Sequence, residues 1–445
     1  MQGNQKHYSK PCKFLMKPKK TNHSQDRLFE QRLSELLNPN HELMVMSRLI
    51  NWNSLETHLE YYFSEEEGAP AKPVRLMTGI MLLQQMYGLS DEAVVRGWVE
   101  NPYWQLFCGY DYLQWKFPIH PTTLVKWRKK IGTEGIEKVV SLLIDSALRV
   151  GLVDKKSLER TLCDTTVMPK AVTYPTDAKL YYNCIVELNR FATSHKIKLR
   201  QSYRYIAKKT LRKVGQYSHS RKQKKAGKEL KRLKVYLGRL FRDVLRQLEG
   251  DAELEKRAAP VISTIGRILM QERQDSHKIY SLHEPHVECI SKGKAHKKYE
   301  FGCKASLVVT EKEGFVLSCE AIHGNPYDGH TLERSLANAS INSGVLVKEV
   351  LVDKGYRGHG VKCCKVLIAG AKKKAKMHWR KWKRLQRRQS IEPHIGHMKS
   401  EGKLGRNFLR GKTGDQINAI LCGIGHNMRL LMNHIRNKVL VPTRV

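Results

Sequence analysis

Three carboxylates stand apart by position in a sequence of 445 residues that carries 80 Lys and Arg against 42 Asp and Glu. Asp164 lies in the middle of the β-prone run Thr161-Leu162-Cys163-Asp164-Thr165-Thr166-Val167, which Pro169 ends. Asp353 closes the apolar strand-like run Val345–Val352, and Glu392 stands at the beginning of a helical stretch. An acid at a strand end often only caps a turn, so each alone says little. Together they offer oxygen ligands, which a hard divalent cation such as Mg²⁺ requires. Two such ions about 3.5–4 Å apart clamp the attacking and leaving oxygens of a phosphodiester displacement. Two strand aspartates and one helix glutamate can supply that cage.

The residues around Glu392 add cations. Lys399 follows it by seven positions, which at about 100° per residue brings the two side chains within about 20° on one helix face. Arg388 falls about 40° from Glu392 on the same stripe if the helix reaches that far. Ser390 as an N-cap and Pro393 in the first turn set Arg388 just before the helix instead. An exposed Glu–Lys stripe is also common on any helix. His394 and His397 flank the carboxylate and read as phosphate contacts or surface residues, because hard cations prefer oxygen.

The elements that must hold these groups follow from composition and periodicity. After a basic arm over residues 1–42, residues 43–132 read as a helical bundle. A helix over Arg75–Tyr87 is closed by Gly88, and Ser90-Asp91-Glu92 caps a second through Glu100. Pro121-Thr122-Thr123 starts a helix with Leu124, Val125 and Trp127, between which stand Lys126, Arg128, Lys129 and Lys130. That helix reads either as a packing element or as a helix-turn-helix presenting cations to phosphates. From Thr176 to Ser281 helical composition takes over, and Lys196–Arg246 holds 19 Lys and Arg against Glu229 and Asp243. Such an imbalance on tyrosine-bearing helices favours a phosphate backbone over a merely solvated face. Strands return with a hairpin, Glu300–Thr310 and Phe315–Ile322 around the turn Glu311-Lys312-Glu313-Gly314. A later stretch, Lys372–Arg388, interleaves ten basic residues with Trp379 and Trp382, a composition suited to nucleic acid.

A formal net charge of +38 and a pI near 9.9 point to a polyanionic partner, while 41% hydrophobic residues are those of a folded protein. No run of about 18 apolar residues occurs and the N-terminus lacks an apolar signal core, so a cytoplasmic, nucleoid-associated protein without a membrane partner is expected. The ten cysteines form no C-x-x-C pair and read as reduced thiols.

Several runs carry a family resemblance. Leu162-Cys163-Asp164-Thr165-Thr166 with Tyr174-Pro175-Thr176-Asp177, then Val352-Asp353-Lys354-Gly355-Tyr356-Arg357-Gly358, then Ile391-Glu392-Pro393-His394-Ile395-Gly396-His397-Met398-Lys399 resemble the DDE transposases of bacterial insertion sequences, in the IS-five group. Glu300-Phe301-Gly302, Gly324-Asn325 with Asp328-Gly329-His330, and Gly414-Asp415-Gln416-Ile417-Asn418 support the match. The resemblance runs from about Leu43 to Leu431. It implies an α/β fold: a ribonuclease-H-like catalytic domain over 150–445, interrupted by the basic helical insertion 176–281 and preceded by an all-α domain, 43–132, that binds the element's ends. It further implies Asp164, Asp353 and Glu392 as catalytic residues and ligands of two Mg²⁺ ions, with Mn²⁺ as the alternative and no small-molecule cofactor. DNA contacts are expected at Arg388, Lys399, Lys354, Tyr356 and Arg357, and at Lys126, Arg128 and Lys129. The family signature Y-x2-R-x3-E-x6-K is met by Arg388, Glu392 and Lys399, with Leu385 at the tyrosine position.

The implied reaction is cleavage at the terminal inverted repeats followed by attack of the freed 3′-OH on target DNA, in a homodimer or larger synaptic complex. Other readings stand beside it: an inactive remnant that only binds DNA, a metal-dependent nuclease that does not join, and, from charge alone, an RNA-binding protein.

Overall fold

The computed structural model describes residues 15–17, 30–64, 69–291, 298–370 and 378–439. Most of the expected basic arm, residues 1–14 and 18–29, and the lysines of 371–377 lie outside them. The chain forms two compact units, one from the segments up to Met168 and from Lys304 onward, the other Pro169–Cys303.

The first unit opens with β1 (Leu15–Met16), which pairs in parallel with β2 (Ala69–Pro70). Its N-terminal helices are α1 (Leu33–Leu36), α2 (Glu42–Leu49), α3 (Trp52–Glu60), α4 (Val74–Met86), α5 (Asp91–Glu100), α6 (Pro102–Phe107), α7 (Pro121–Arg149) and α8 (Lys155–Glu159). Side-chain oxygens cap them in the expected manner: Ser90 accepts from Ala93 N at 3.1 Å and Asn101 from Trp104 N at 3.2 Å. Gly88 takes φ +66° to end α4.

At Gly132 (φ 61°, ψ −163°) the backbone of α7 leaves the helical region, and a second helical segment follows the kink, carrying the apolar stripe Ile136, Val139, Val140 and Leu143. The core then runs from Leu43, Ile80 and Leu83 through Ile144 to Phe315, Val350 and Ile424, so the N-terminal helices and the sheet share one apolar interior. The long C-terminal α16 (Gly411–Val439) packs on α2, α4, α7 and the sheet, and closes it.

That sheet is β3 (Arg160–Pro169), β5 (Tyr299–Thr310), β6 (Val316–Ile322), β7 (Glu349–Val352) and β8 (Lys365–Ile368), in the order β6-β5-β3-β7-β8. β5 and β6 form the expected antiparallel hairpin, with Leu307 opposite Cys319, whereas β3, β7 and β8 run parallel. Helix α13 (Asp328–Ser343) links β6 to β7. Beyond β8 come α14 (Trp379–Gln386), a 3₁₀ turn (Arg387–Ser390) and α15 (Ile391–Ser400).

The second unit holds α9 (Asp177–Ser194), α10 (Arg204–His219), α11 (Gln223–Leu248), α12 (Ala252–Met270) and β4 (Glu288–Ser291), which pairs with Tyr299–Gly302. Its core is separate: Leu188 of α9, Leu233, Leu237, Leu240 and Val244 of α11, and Ile265 and Ile268 of α12. The two acids of its basic stretch are both buried, Glu229 against Arg232 at 2.7 Å and Asp243 against Arg246 at 3.3 Å. Lys208, Arg212, Lys224, Lys228, Lys231 and Arg242 face solvent.

Candidate active site

The parallel register that pairs Arg160 with Glu349, Thr161 with Val350 and Leu162 with Leu351 carries forward to bring Asp164 level with Asp353. One aspartate is therefore inside β3 and the other at the end of β7, on neighbouring strands. Each uses one oxygen on its own backbone. Asp164 Oδ1 accepts from Thr165 N at 2.8 Å, and Asp353 Oδ1 accepts from Gly355 N at 2.8 Å, capping the turn that follows. The second oxygens turn to a common partner: Arg388 Nη2 lies 2.8 Å from Asp164 Oδ2 and 3.6 Å from Asp353 Oδ2. The same guanidinium sets Nη1 2.8 Å from Glu392 Oε1. Three carboxylates drawn from segments far apart in sequence thus meet at one cation. Exposure grades across the cluster: 14% for the Asp164 side chain, 41% for Asp353 and 62% for Glu392, with Arg388 at 15%.

Arg388 reaches this position from the 3₁₀ turn, which runs straight into α15. Ser390 is accordingly not an N-cap. Its backbone is helical, and its hydroxyl donates to Arg387 O at 2.6 Å. Helix α15 is seated by the β5–β6 turn, where Gly314 has φ +68° and lies directly beneath the ring of His394. A Cβ at residue 314 would fall 2.0 Å from His394 Nε2. Behind it His426 donates to Gly314 O at 3.2 Å, and burial pushes the His426 imidazole down to about 3, so it is neutral. Gly314→Ala is expected to lower unfolding free energy by about 1–2 kcal/mol from the left-handed backbone alone, with the ring clash adding to it. Urea unfolding measures this, and an unchanged midpoint would refute the seating.

The remaining expected contacts divide. Lys354, Arg357, Lys126 and Lys129 are exposed, and Lys399 is half-buried on α15. Tyr356 is not a surface residue: it is fully buried with its hydroxyl 3.7 Å from Cys163 Sγ, because the turn after Asp353 directs it under the sheet. Burial pushes the Cys163 thiol up to about 12, which makes it an inert packing group. Arg128 is also removed from the surface. It is 5% exposed and paired with Asp91 at 2.6 and 3.0 Å, on the inner face of α7. Leu385 is 8% exposed and, with Asp353, Lys354, Trp382, Arg388 and Gln389, lines a cavity of about 370 Å³ beside the carboxylates.

Sequence reasoning missed the clamp on α14. Arg384 holds Glu311 at 3.0 Å and Glu349 at 2.6 Å, fixing the helix across the sheet. Its outer face, with Lys156, Arg160 and Lys312, borders a cavity of about 730 Å³ lined by Arg380, Lys383, Arg387 and the 61% exposed Trp379. The basic and aromatic run signalled a charged surface, but nothing local named the two acids that anchor it.

Comparison with known proteins finds two transposase domains in this chain. The model described as "Transposase domain (DUF772)" matches residues 31–130, and that described as "Transposase DDE domain" matches residues 275–428, which include Asp353, Arg388 and Glu392. An uncharacterized protein, ORF8 in the nfe locus of Rhizobium meliloti, is 39% identical over 206 residues, 46% of this chain and 99% of that protein. No solved structure matches. With one transposase family model on the N-terminal helices and another on the segment from β4 to α16 that includes Asp353 and Glu392, the chain belongs to the DDE-type insertion-sequence transposases.

Proposed function

We propose that this protein moves an insertion sequence by metal-dependent phosphoryl transfer, cutting DNA at the terminal inverted repeats and joining the freed 3′-OH ends to target DNA. The observation that carries the reading is the convergence of Asp164, Asp353 and Glu392 on one guanidinium. The donor set fits two hard divalent ions, Mg²⁺ with Mn²⁺ as the alternative: all three donors are carboxylates, and each aspartate turns a second oxygen inward. When bound, such ions neutralise developing charge and raise the acidity of water. The strand order β6-β5-β3-β7-β8, with one antiparallel hairpin and a parallel pair to the other side, supports a ribonuclease-H-like sheet with the acids on the central strand and its parallel neighbour.

The chain's own residues then have distinct tasks. Asp164 and Asp353, held by their backbone hydrogen bonds, keep two carboxylate oxygens in fixed positions, so little reorganisation is needed as charge builds. Glu392 completes the set from α15. Lys354, Arg357 and Lys399 hold phosphates beside the reacting bond, and orientation rather than a covalent intermediate carries the rate. Lys126 and Lys129 on α7 take the terminal repeat. The lysine- and arginine-rich face of α10 and α11 grips the flanking duplex, which the inward pairing of Glu229 and Asp243 leaves free of acidic repulsion. Because two ends react together, the working form is a dimer or larger synaptic complex. Among the described residues no helix is long and apolar enough to cross a membrane.

The test is a labelled duplex bearing the element's terminal repeat, incubated with the protein, Mg²⁺ and a target plasmid. Nicking followed by covalent joining to the plasmid is the expected result. Nicking without joining would make the protein a nuclease, and binding that ignores the metal would make it a DNA-binding remnant.

A further inference from the structure

We propose that Arg388 is a displaceable internal counter-ion of the carboxylate cluster, so that divalent metal enters only as the guanidinium leaves. The inference rests on the metal-site reading above and adds a competition to it. A guanidinium that lies 2.8 Å from Asp164, 2.8 Å from Glu392 and 3.6 Å from Asp353 uses the oxygens that the metal ions would take. The remaining oxygens of both aspartates are spent on backbone N–H groups, which leaves the inward-facing pair as the shared resource. One unit positive charge and two divalent ions cannot share these oxygens at contact distance.

Two further features mark the arginine as able to move. Its Nε is buried without a hydrogen-bond partner, so the inward pose leaves one of its donors unmet. It sits on a 3₁₀ turn rather than in a helix interior, and borders the open cavity beside Asp353, into which the side chain can swing. Once outward, the same planar fork meets a phosphate with bidentate geometry. Arg388 thus exchanges carboxylates for DNA phosphate as the metal loads, and DNA and metal each favour the other's binding by linkage. In the absence of both, the guanidinium occupies the inward-facing oxygens and the site is shut to adventitious cutting.

The experiment measures metal binding directly, without reference to catalysis. Full-length wild type, Arg388→Gln and Arg388→Lys are titrated with Mn²⁺ in DNA-free buffer, with free Mn²⁺ read by electron paramagnetic resonance. The expected result is a Kd about tenfold lower for Arg388→Gln than for wild type, with Arg388→Lys between them, since a lysine keeps the charge and loses the fork. A second readout guards against misfolding: Mn²⁺ should raise the melting temperature of Arg388→Gln more than that of wild type. Equal affinities, or weaker binding by Arg388→Gln, would overturn the competition while leaving the metal site standing. If no variant binds Mn²⁺, the metal-site reading falls and the competition falls with it.

Discussion

Asp353→Asn is expected to lower end cleavage and joining by about a thousandfold, equivalent to about 4 kcal/mol of transition-state stabilisation, with duplex affinity changed less than twofold. The substitution is chosen for what it retains. Asp353 Oδ1 accepts from Gly355 N, and an asparagine carbonyl makes the same bond, so the turn after β7 stays capped. What is lost is the second anionic oxygen, which faces Arg388 at 3.6 Å. An amide there binds a hard cation poorly and supplies no negative charge. Single-turnover cleavage of a labelled terminal-repeat duplex at saturating protein measures the effect. Cleavage within tenfold of wild type would remove Asp353 from the reaction.

Arg128→Ala is expected to cost about 3–5 kcal/mol of stability, the range for leaving a buried charge without its partner. Asp91 is a helix-terminal acid only 21% exposed, and burial works against its charge; the Arg128 hydrogen bonds overcome this and hold it below the usual carboxylate range. Its neighbours give partial relief, since Gln84 also donates to it. The double substitution Arg128→Ala with Asp91→Ala should recover more than half of the loss, because no orphan charge remains. Urea denaturation of the three variants checks this. If instead Arg128→Ala folds normally but binds DNA weakly, the arginine is a DNA contact after all.

Asp164, Asp353 and Glu392 were legible because each interrupts or ends an apolar pattern, and a strand or helix boundary is a local property of sequence. Their convergence was not: it depends on a parallel register between residues 160–162 and 349–351, set by side chains on both faces of the sheet. Arg388 was readable as sharing a stripe with Glu392, but its reach to both aspartates was not. Arg128 and Tyr356 show the limit in the other direction. Each stands among residues that do face solvent, and composition gives no sign that one pairs with Asp91 and the other lies beneath Cys163. The helical bundle was visible as helices, and Gly132, where the expected bundle ends, is the residue at which the backbone of α7 leaves the helical region.

The middle strand of the sheet has an awkward position in time. β3 ends at Pro169, but its two partners, β5 and β7, finish only at Thr310 and Val352. As the chain leaves the ribosome, β3 appears first and waits with both edges unpaired while the whole second unit, with its own core, is made and folds. Glu392 then arrives later still, and α16 seals the interior last. A product stopped before Val352 therefore displays an apolar strand, Leu162 and Cys163 included, with an open edge that invites aggregation, alongside a finished basic unit. Synthesis orders the properties of the molecule: the basic surface of α10 and α11 is made before Asp353 and Glu392 join Asp164 to complete the set of acids.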